Sequence, residues 1–344
     1  MRPFSVGLVG IGDEVVPEYV VQALRSAGIT FSRHECTSGE ELVRAIADVD
    51  LAWVWGSRMI TAERLRLLRK CGAILRTGSG TDNVPVAEAT QDNIIVCNTP
   101  LAVAEEVSDH AIALLLTIVR QTVAQNAAMR QGLWERRLES HRWHLRGSTL
   151  GLIGFGYIAQ LTARKMSSFE VRILVHDPFI PQERITAKGY QAVGFEEVLR
   201  QSDFLSLHCP LLDSTHHLIN ERALKMMKPH AIIINTSRGP VIDEKALIRA
   251  LQAGSIGAAG LDVFEEEPIR GDNPLLRMEN VVVSPHSASA CDIFYDKFWS
   301  HSIETILALA DGYWPRSPLN RKGLTPRWPL RDREWSEEPR SYAK

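Results

Sequence analysis

The chain has 344 residues, of which 45% are apolar, and this is enough for two domains of ordinary size with full cores. Its formal net charge of −2 gives no reason to expect a nucleic acid or an acidic membrane as a partner. No apolar run approaches the roughly 18 residues that a membrane-spanning helix needs. No signal peptide is apparent, and five scattered cysteines without a C-x-x-C pair indicate neither a disulfide framework nor a zinc site. We therefore expect a cytoplasmic protein with no membrane, nucleic-acid or metal partner.

The first 100 residues alternate between short apolar segments, typical of buried parallel strands, and helical patterns, which indicates an α/β domain. Gly7, Gly10 and Gly12 follow the first strand-like segment and form a first glycine pattern. The next helix begins only near Glu18, so these glycines lack the helix N-terminus that dinucleotide binding requires. We interpret this pattern as an ordinary strand-to-helix loop.

Two later features belong to the same part of the chain. Thr61 is predicted to cap a helix that ends at Arg69. The loop from Arg76 to Val84 follows a strand-like segment and places small residues, with free backbone N–H groups, beside an arginine. That loop suits either an anion-binding site or a tight connection between two elements. We place the end of this part of the chain at Pro100.

One long helical pattern runs from Ala104 to about Met129, with its apolar face marked by Ile112 and Leu115. A helix of about 26 residues would span about 39 Å, which is long enough to bridge two domains. Residues 132–147, called the arm below, combine polar, basic and aromatic side chains without a regular pattern. The arm is interpreted either as a contact with a neighbouring subunit or as a surface loop.

A second glycine pattern has the context that the first one lacks. Gly154, Gly156 and Ala159 fit G-x-G-x-x-G/A between a strand-like segment and a helix, and Asp177 ends the next strand, 23 residues after Gly154. The first glycine permits a tight turn, and the second lets backbone N–H groups approach a pyrophosphate at the positive end of the helix. Asp177 would accept hydrogen bonds from a ribose 2′-hydroxyl and repel a 2′-phosphate. The stretch therefore predicts a dinucleotide site that favours NAD over NADP.

Strand-like segments and helices keep alternating up to a last predicted helix over about 290–309. Arg238, Asp262, Glu267 and His286 follow the ends of predicted strands in this part of the chain. Ligands of an open parallel sheet bind beyond the carboxyl ends of its strands, so we expect these four side chains to converge beside the glycine turn.

These residue types suit hydride transfer between a nicotinamide and a 2-hydroxy acid. Oxidation of the hydroxyl carbon needs a base, and His286, besides His208, is the candidate near these strand ends that titrates near neutral pH. Glu267 would hold the imidazole ring and favour its protonated form. Arg238 offers the fixed fork of donors that a substrate carboxylate needs and could polarise the keto oxygen, while Asp262 could orient the nicotinamide carboxamide.

Four stretches match the signatures of a known family in both residues and spacing. They are Gly147 to Gly156 (G-x-T-L-G-x-I-G-x-G), Asn235 to Gly239 (N-T-S-R-G), Gly260 to Pro268 (G-L-D-V-F-x-x-E-P) and Pro285 to Ala288 (P-H-x-A). On these motifs the chain resembles the NAD-dependent D-isomer-specific 2-hydroxyacid dehydrogenases, over about residues 51–286 and most densely over 147–290.

The resemblance implies two Rossmann-like α/β domains, each a doubly wound parallel sheet, with the NAD-binding domain inserted into a flavodoxin-like substrate domain. The expected boundaries are 1–100 for the first part of the substrate domain and 101–288 for the NAD-binding domain. Residues 289–344 would contribute a helix that returns to the substrate domain and an irregular tail. From Asp311 onward no element can be assigned, and this tail is expected either to drape over the first domain or to be partly disordered.

The resemblance also implies site residues and a partner. Arg238 would bind the substrate, Glu267 and His286 would form the acid–base pair, and Ser79 and Gly80 would offer backbone donors to the substrate carboxylate. The residues implied to bind NAD are Gly154, Gly156, Tyr157, Ile158, Asp177, Cys209, Pro210, Thr215, Thr236, Ser237, Arg238, Asp262, His286 and Ala288. Family members are usually dimers through the segment after the long helix, so we expect a homodimer through the arm.

The substrate and one alternative function stay open at this point. Trp134-Glu135-Arg136 and the loop at Arg76 most resemble phosphoglycerate dehydrogenases, whereas Glu105–His110 and Ser284–Ser287 are nearer the branch that includes the C-terminal binding proteins. The leading hypothesis is an enzyme for a D-2-hydroxy or 2-keto acid of the 3-phosphoglycerate, hydroxypyruvate or glyoxylate type. The alternative is an NAD-sensing co-regulator that keeps the fold but acts by protein contacts.

Overall fold

The structure is a computed structural model that describes residues 3–56, 60–134, 143–336 and 342. It divides into two compact units, a first unit drawn from Met1–Val103 and Cys291–Lys344 and a second unit of Ala104–Ala290. In sequence, the second unit is thus inserted into the first. No described helix is both long enough and apolar enough to cross a membrane.

The first unit is built on a five-stranded parallel sheet with the strand order β2-β1-β3-β4-β5. Its strands are β1 (Phe4–Val9), β2 (Ile29–His34), β3 (Leu51–Trp55), β4 (Ala73–Thr77) and β5 (Ile95–Asn98), and the helices between them are α1 (Glu18–Ser26), α2 (Gly39–Ile46), α3 (Ala62–Leu65) and α4 (Val86–Gln91). Successive strand residues point to opposite faces, so Leu51 and Trp53 enter one core while Ala52 and Val54 enter another. Two covered faces explain why the central strand β3 is apolar throughout, whereas the edge strand β2 also carries polar residues.

The predicted helix after Thr61 is shorter than expected. Thr61 does cap it, with Oγ1 accepting from Arg64 N at 3.4 Å, but the α-helix ends at Leu65 rather than Arg69. Beyond that point the amides of Leu67 and Leu68 donate to carbonyls three residues earlier, so the chain continues in tighter turns. The helical pattern over 66–69 is therefore realised as tighter turns rather than as α-helix.

The second unit carries a seven-stranded parallel sheet with the order β12-β11-β10-β9-β6-β7-β8. Its helices are α5 (Ala104–Arg120), α6 (Thr122–Arg130), α7 (Tyr157–Ser167), α8 (Gln182–Thr186), α9 (Phe195–Gln201), α10 (Glu221–Met226) and α11 (Glu244–Gln252). Its strands are β6 (Thr149–Ile153), β7 (Arg172–His176), β8 (Gln191–Ala192), β9 (Phe204–Leu207), β10 (Ile232–Asn235), β11 (Ala258–Leu261) and β12 (Val281–Val283). After β6, the chain adds β7 and β8 on one side of this strand. The later strands, β9 to β12, then follow on its other side. The strand order therefore reverses at β6, which makes the end of β6 a topological switch point.

The single long helix predicted over Ala104 to Met129 is wrong, because the structure has two helices there. Gln121 separates α5 from α6 and adopts a left-handed backbone with φ of 54°. Its amide donates to Ile118 O, three residues back, which closes α5 before α6 starts. The apolar pattern stops at the same point: α5 buries nine residues and α6 buries none.

The chain returns to the first unit with α12 (Phe294–Ala310), which begins four residues later than predicted. The described part of the tail after Asp311 packs on the first unit. Of the two alternatives expected from the sequence, this is the tail that drapes over the first domain. Asn320 Nδ2 donates to Ile94 O at 2.9 Å, and Arg327 donates to the carbonyls of Leu68 and Asp92. Trp328 is buried in the core of this unit.

Candidate active site

The glycine turn after β6 has the geometry that a pyrophosphate requires. Gly154 has a φ of 86°, and a Cβ there would lie 2.8 Å from Cys209 N, so neither the backbone nor the space allows another residue. Gly156 has an ordinary φ of −69°, and a Cβ there would meet no described atom within 4 Å. The open space above Gly156 lies at the N-terminus of α7, where backbone amides and the helix dipole favour an anion. Tyr157 and Ile158, both predicted to line the cofactor, form the first turn of that helix.

Asp177 follows β7 and is fixed against this turn. Its Oδ2 accepts from Phe155 N at 2.8 Å, while Oδ1 accepts from Phe179 N at 2.8 Å and Ile180 N at 3.2 Å. The carboxylate thus joins the glycine turn to the loop after β7. A negative charge is held beside the turn, in the place that the sequence predicts for a ribose acceptor.

A cavity of about 530 Å³ opens between the glycine turn, the loop of Asp177 and the loop after β9. Six predicted cofactor residues line it, namely Gly154, Gly156, Asp177, Cys209, Pro210 and Thr215. The other predicted cofactor residues lie outside this cavity, namely Tyr157, Ile158, Thr236, Ser237, Arg238, Asp262, His286 and Ala288. Phe179, Ile180 and Leu218 add apolar walls, which suit the flat apolar faces of an adenine base.

Two titratable side chains of the loop after β9 are uncharged near neutral pH. Burial lowers the pKa of His208 to about 4, and its Nε2 lies 2.9 Å from Ser206 Oγ. Burial also raises the pKa of the Cys209 thiol to about 11. His208 therefore cannot act as a proton donor at neutral pH, which removes the competitor that the sequence left beside His286.

Arg238 lies in a short turn after β10 that is shaped by a buried asparagine. Asn235 Nδ2 donates to Arg238 O at 2.9 Å, and Asn235 Oδ1 accepts from the amide and hydroxyl of Ser237 at 3.0 and 2.8 Å. The Arg238 guanidinium donates to Ser237 O at 2.8 Å. Thr236 Oγ1 is buried and lacks a hydrogen-bond partner within the described chain, so a polar ligand atom would satisfy it.

His286 and Glu267 are brought together at hydrogen-bond distance. His286 Nδ1 lies 2.7 Å from Glu267 Oε2, and the other carboxylate oxygen accepts from Phe264 N at 3.1 Å. The His286 side chain is 47% exposed, so its ring is accessible to a ligand. Its backbone has a φ of 51°, in the left-handed region, where strain is often found at functional sites.

Asp262 holds the segment that carries His286. This fully buried carboxylate accepts from Ser284 Oγ at 2.6 Å, Ser287 N at 2.9 Å and Ala288 N at 3.0 Å. The amide of His286 donates to the Asp262 carbonyl at 2.8 Å. The bonds of the Asp262 side chain thus stay within the protein, and its expected contact with a nicotinamide carboxamide stays a prediction.

Ser79 and Gly80 lie in the first unit, in the loop after β4. Asn98 Nδ2 donates to Ser79 O at 2.7 Å, and Thr99 Oγ1 accepts from Gly78 N at 2.7 Å. The end of β5 therefore fixes the loop that is predicted to bind the substrate carboxylate, and that role stays a prediction. Residues 57–59, in the loop after β3, and residues 135–142 of the arm, including His141, lie outside the described residues.

Several residues that shape the site were not identified from the sequence. Asn235 stood inside a recognised motif, but nothing in the motif shows that its amide closes the turn of Arg238. His110, on α5, places Nε2 2.8 Å from Ser284 Oγ and so supports the segment of His286 from another element. Such contacts join residues far apart in the chain, and periodicity and spacing carry no signal for them. No described group of three or more His, Cys, Asp or Glu side chains is arranged to hold a metal ion.

Comparison with known proteins agrees with this geometry. Residues 112–288 match the model of the D-isomer specific 2-hydroxyacid dehydrogenase NAD-binding domain. The chain is 37% identical to a glyoxylate reductase of Korarchaeum cryptofilum, over 85% of this chain and 89% of that protein. It is 33% identical to a D-3-phosphoglycerate dehydrogenase of Archaeoglobus fulgidus, over 91% of this chain and 59% of that protein.

A solved structure is similar over nearly the whole chain. It is an NADPH-dependent glyoxylate/hydroxypyruvate reductase of Sinorhizobium meliloti, in complex with NADP and malonate. The two chains superpose with a TM-score of 0.79 at 30% identity, covering 95% of this chain and 100% of the other.

Proposed function

The chain belongs to the D-isomer specific 2-hydroxyacid dehydrogenase family and is an NAD(P)-dependent oxidoreductase of 2-hydroxy acids, and from this premise we propose its substrate class, cofactor and acid–base residues. The substrate is a small D-2-hydroxy acid or its 2-keto form, of the 3-phosphoglycerate, hydroxypyruvate or glyoxylate type. The cofactor is NAD(H). The observation that supports this proposal most directly is the His286–Glu267 pair, with Nδ1 and Oε2 at 2.7 Å.

His286 is the acid–base residue of this proposal. Glu267 accepts from Nδ1 and so leaves Nε2, on the opposite edge of the ring, to face the C2 oxygen of the substrate. In reduction Nε2 gives a proton to that oxygen, and in oxidation it takes the proton back. A nicotinamide bound at this site would supply or accept the hydride at C2. Glu267 fixes the orientation of the ring through its hydrogen bond with Nδ1.

Arg238 binds the carboxylate of the substrate. Its guanidinium presents a planar fork of donors that matches a carboxylate in a way that a lysine cannot. Asn235 Nδ2 donates to the backbone oxygen of Arg238. This bond fixes the main chain from which the guanidinium extends, whether or not a ligand is bound. Ser79 and Gly80 add backbone donors for the same carboxylate in this proposal. The proposal also assigns the NAD(H) site to residues 101–288, and the remaining residues then form the substrate domain.

The preference for NAD over NADP rests on Asp177. Its carboxylate is fixed beside the glycine turn, and the described lining of the cavity includes no lysine or arginine that could pair with a 2′-phosphate. We expect Asp177→Ser to lower kcat/KM for NADH by about tenfold to a hundredfold, the size of a lost charge-assisted hydrogen bond. The kcat/KM for NADPH should fall less or rise, because the repulsion is removed.

The quantity to measure is the ratio of kcat/KM for the two cofactors. General damage to the glycine turn would lower kcat/KM for both cofactors by a similar factor, so their ratio would not change. Asp177→Asn is the matched variant, because it keeps an acceptor oxygen for Phe155 N but removes the charge. An unchanged ratio in both variants would show that Asp177 does not set cofactor preference.

The proposed function is tested with a panel of 2-keto acids and NADH, followed by NADH absorbance. We expect turnover of at least one of glyoxylate, hydroxypyruvate and phosphohydroxypyruvate, with the D-isomer as the product of the latter two, whose products are chiral. If no acid is reduced while NADH binds and changes the oligomeric state, the protein acts instead as an NAD-sensing co-regulator.

We propose that the protein is a homodimer through α6 and the arm. Helix α6 buries none of its residues, and Val123, Met129, Leu133 and Trp134 are each at least half exposed. Several exposed apolar side chains close together in the sequence are consistent with a site for a second protein. Because a homodimer uses the same surface twice, a single change there acts on both copies.

The expected result is a dimer in light scattering that Trp134→Glu converts to monomers. A charge introduced into an apolar interface costs its desolvation without a partner. Leu67→Glu is the control, because Leu67 is also more than half exposed but lies in the first unit. A monomeric wild-type protein, or a Trp134→Glu variant that stays dimeric, would contradict this interface.

A further inference from the structure

A second histidine–glutamate pair lies beside the proposed acid–base pair. His217 Nε2 donates to Glu265 Oε1 at 2.5 Å, and the ring of the exposed His216 stacks on His217 with centroids 4.0 Å apart. His217 has a backbone φ of 50°, in the left-handed region that favours glycine. A bulky residue persists in such a conformation only where its surroundings hold it there, and this is most common at functional sites.

His217 connects two segments of the second unit. It belongs to the loop after β9, whose Cys209, Pro210 and Thr215 line the cavity. Its amide donates to Pro240 O at 2.8 Å, two residues beyond Arg238. The next residues continue this pairing, since Ile219 N donates to Val241 O at 3.0 Å. The cavity loop is therefore attached to the turn that carries Arg238.

Glu265 extends the connection to the turn that carries Glu267. Its amide donates to Glu244 Oε2 at 3.1 Å, and its Oε1 accepts from Glu244 N at 3.3 Å as well as from His217. Glu244 is in turn held by Asn273 Nδ2 at 2.7 Å. Only Glu266 separates Glu265 from Glu267, so the bonds of Glu265 fix the start of the turn that aims the Glu267 carboxylate.

The turns of Arg238 and Glu267 also touch directly. A Cβ at Gly239 would lie 1.8 Å from Phe264 O, so the two backbones are in close contact there. Phe264 N donates to Glu267 Oε1 at 3.1 Å, and Glu267 Oε2 bonds His286 Nδ1. A continuous set of contacts thus runs from His217 through Glu265 and Phe264 to the acid–base pair.

We propose that His217, acting through Glu265, is a positioning residue that holds the Glu267–His286 pair in its working orientation. This inference rests on the proposed function, in which that pair transfers the substrate proton. Removal of the His217–Glu265 bond leaves the cavity wall intact, because Thr215 Oγ1 accepts from Leu212 N at 2.7 Å and His208 N donates to Ile153 O at 2.8 Å. Loss of the His217–Glu265 bond should therefore lower the rate of the chemical step and leave the affinity for the dinucleotide unchanged.

The test compares His217→Asn with His216→Asn in the full-length protein. Asparagine tolerates the left-handed backbone, but its shorter amide cannot reach Glu265. We expect His217→Asn to lower kcat by about tenfold to a hundredfold, as small misplacements of a catalytic group do, with KM for NADH within about twofold of wild type. His216→Asn makes the same chemical change one residue earlier and removes the ring stacked on His217, but it retains the His217–Glu265 bond and should leave kcat near the wild-type value.

Two further measurements separate positioning from general loss of structure. The midpoint of the pH–rate profile of His217→Asn should move in the same direction as that of Glu267→Gln. In the Glu267→Gln background, His217→Asn should lower kcat little further, because both changes act through one carboxylate. Glu265→Gln keeps an acceptor for His217 and should be milder than Glu265→Ala.

The proposal is overturned if the two histidine variants have the same kcat, or if His217→Asn changes only the melting temperature or KM for NADH. Fully additive losses in the double variant would also overturn it. A wild-type protein without turnover would count against the proposed function instead, so the two failures are distinguishable.

Discussion

Replacing His286 with asparagine is expected to lower kcat for 2-keto acid reduction by about 10²–10⁴-fold, the usual contribution of a general acid–base residue. Asparagine keeps a polar side chain and tolerates the left-handed backbone at this position, where φ is 51°. It cannot exchange a proton at neutral pH. The Asp262 bonds to the flanking segment do not involve the imidazole, so the fold of this segment should persist.

The measurement is steady-state NADH oxidation together with NADH binding by fluorescence. Binding should stay near the wild-type affinity, because His286 lies outside the cavity at the glycine turn. His34→Asn is a matched control on the edge strand β2 of the first unit and should leave kcat unaltered. Activity within a few-fold of wild type in His286→Asn would rule out this histidine as the proton donor.

The partner carboxylate gives an independent check on the same pair. Glu267→Gln replaces the carboxylate that accepts from His286 Nδ1 at 2.7 Å with an amide that can present either its oxygen or its amino group to the ring. The ring orientation is then less well fixed, so kcat should fall by about tenfold to a hundredfold while the affinity for NADH changes little. An unchanged kcat would show that Glu267 does not hold His286 for the reaction.

Arg238→Gln is expected to raise KM for the 2-keto acid by about tenfold to more than a hundredfold, since a hydrogen bond to a charged group contributes about 1.5–3 kcal/mol. Arg238→Lys should recover only part of this loss, because lysine keeps the charge but not the planar fork. Asn235 bonds the backbone of Arg238 rather than its side chain, so the turn itself is retained in both variants.

The readout that identifies this role is the dependence on substrate. KM for the keto acid should rise while the affinity for NADH changes little. Arg249→Gln, on the exposed side of α11, is the control for loss of a positive charge. If Arg238→Gln leaves KM unchanged for every acid that is turned over, the carboxylate is bound elsewhere.

Much of this site could be predicted because it follows from local rules. The glycine turn at Gly154 is visible in six residues of sequence, and a sheet of parallel strands brings strand ends together whatever the intervening helices are. That rule alone selected Arg238, Asp262, Glu267 and His286. The structure brings Glu267 to His286 at hydrogen-bond distance and joins Asp262 to the segment of His286.

The rest could not be predicted because it depends on contacts that sequence spacing does not encode. The helix break at Gln121 has no proline or glycine to signal it. The choice between His208 and His286 depends on burial, which lowers the pKa of His208 to about 4. The supporting roles of Asn235 and His217 depend on a backbone oxygen, that of Arg238, and a carboxylate oxygen, that of Glu265, lying within reach of their side chains.

The division of the first unit's core between two distant parts of the chain has a consequence for biosynthesis. Trp299 and Trp328 pack against β1 to β5 and their neighbours, yet they emerge from the ribosome only after residues 104–290. During translation, the face of the sheet on which they pack can be covered only in part, by α1, until the C-terminal residues have been made. The core of the first unit is therefore completed last, although its first residues are synthesised before those of the second unit.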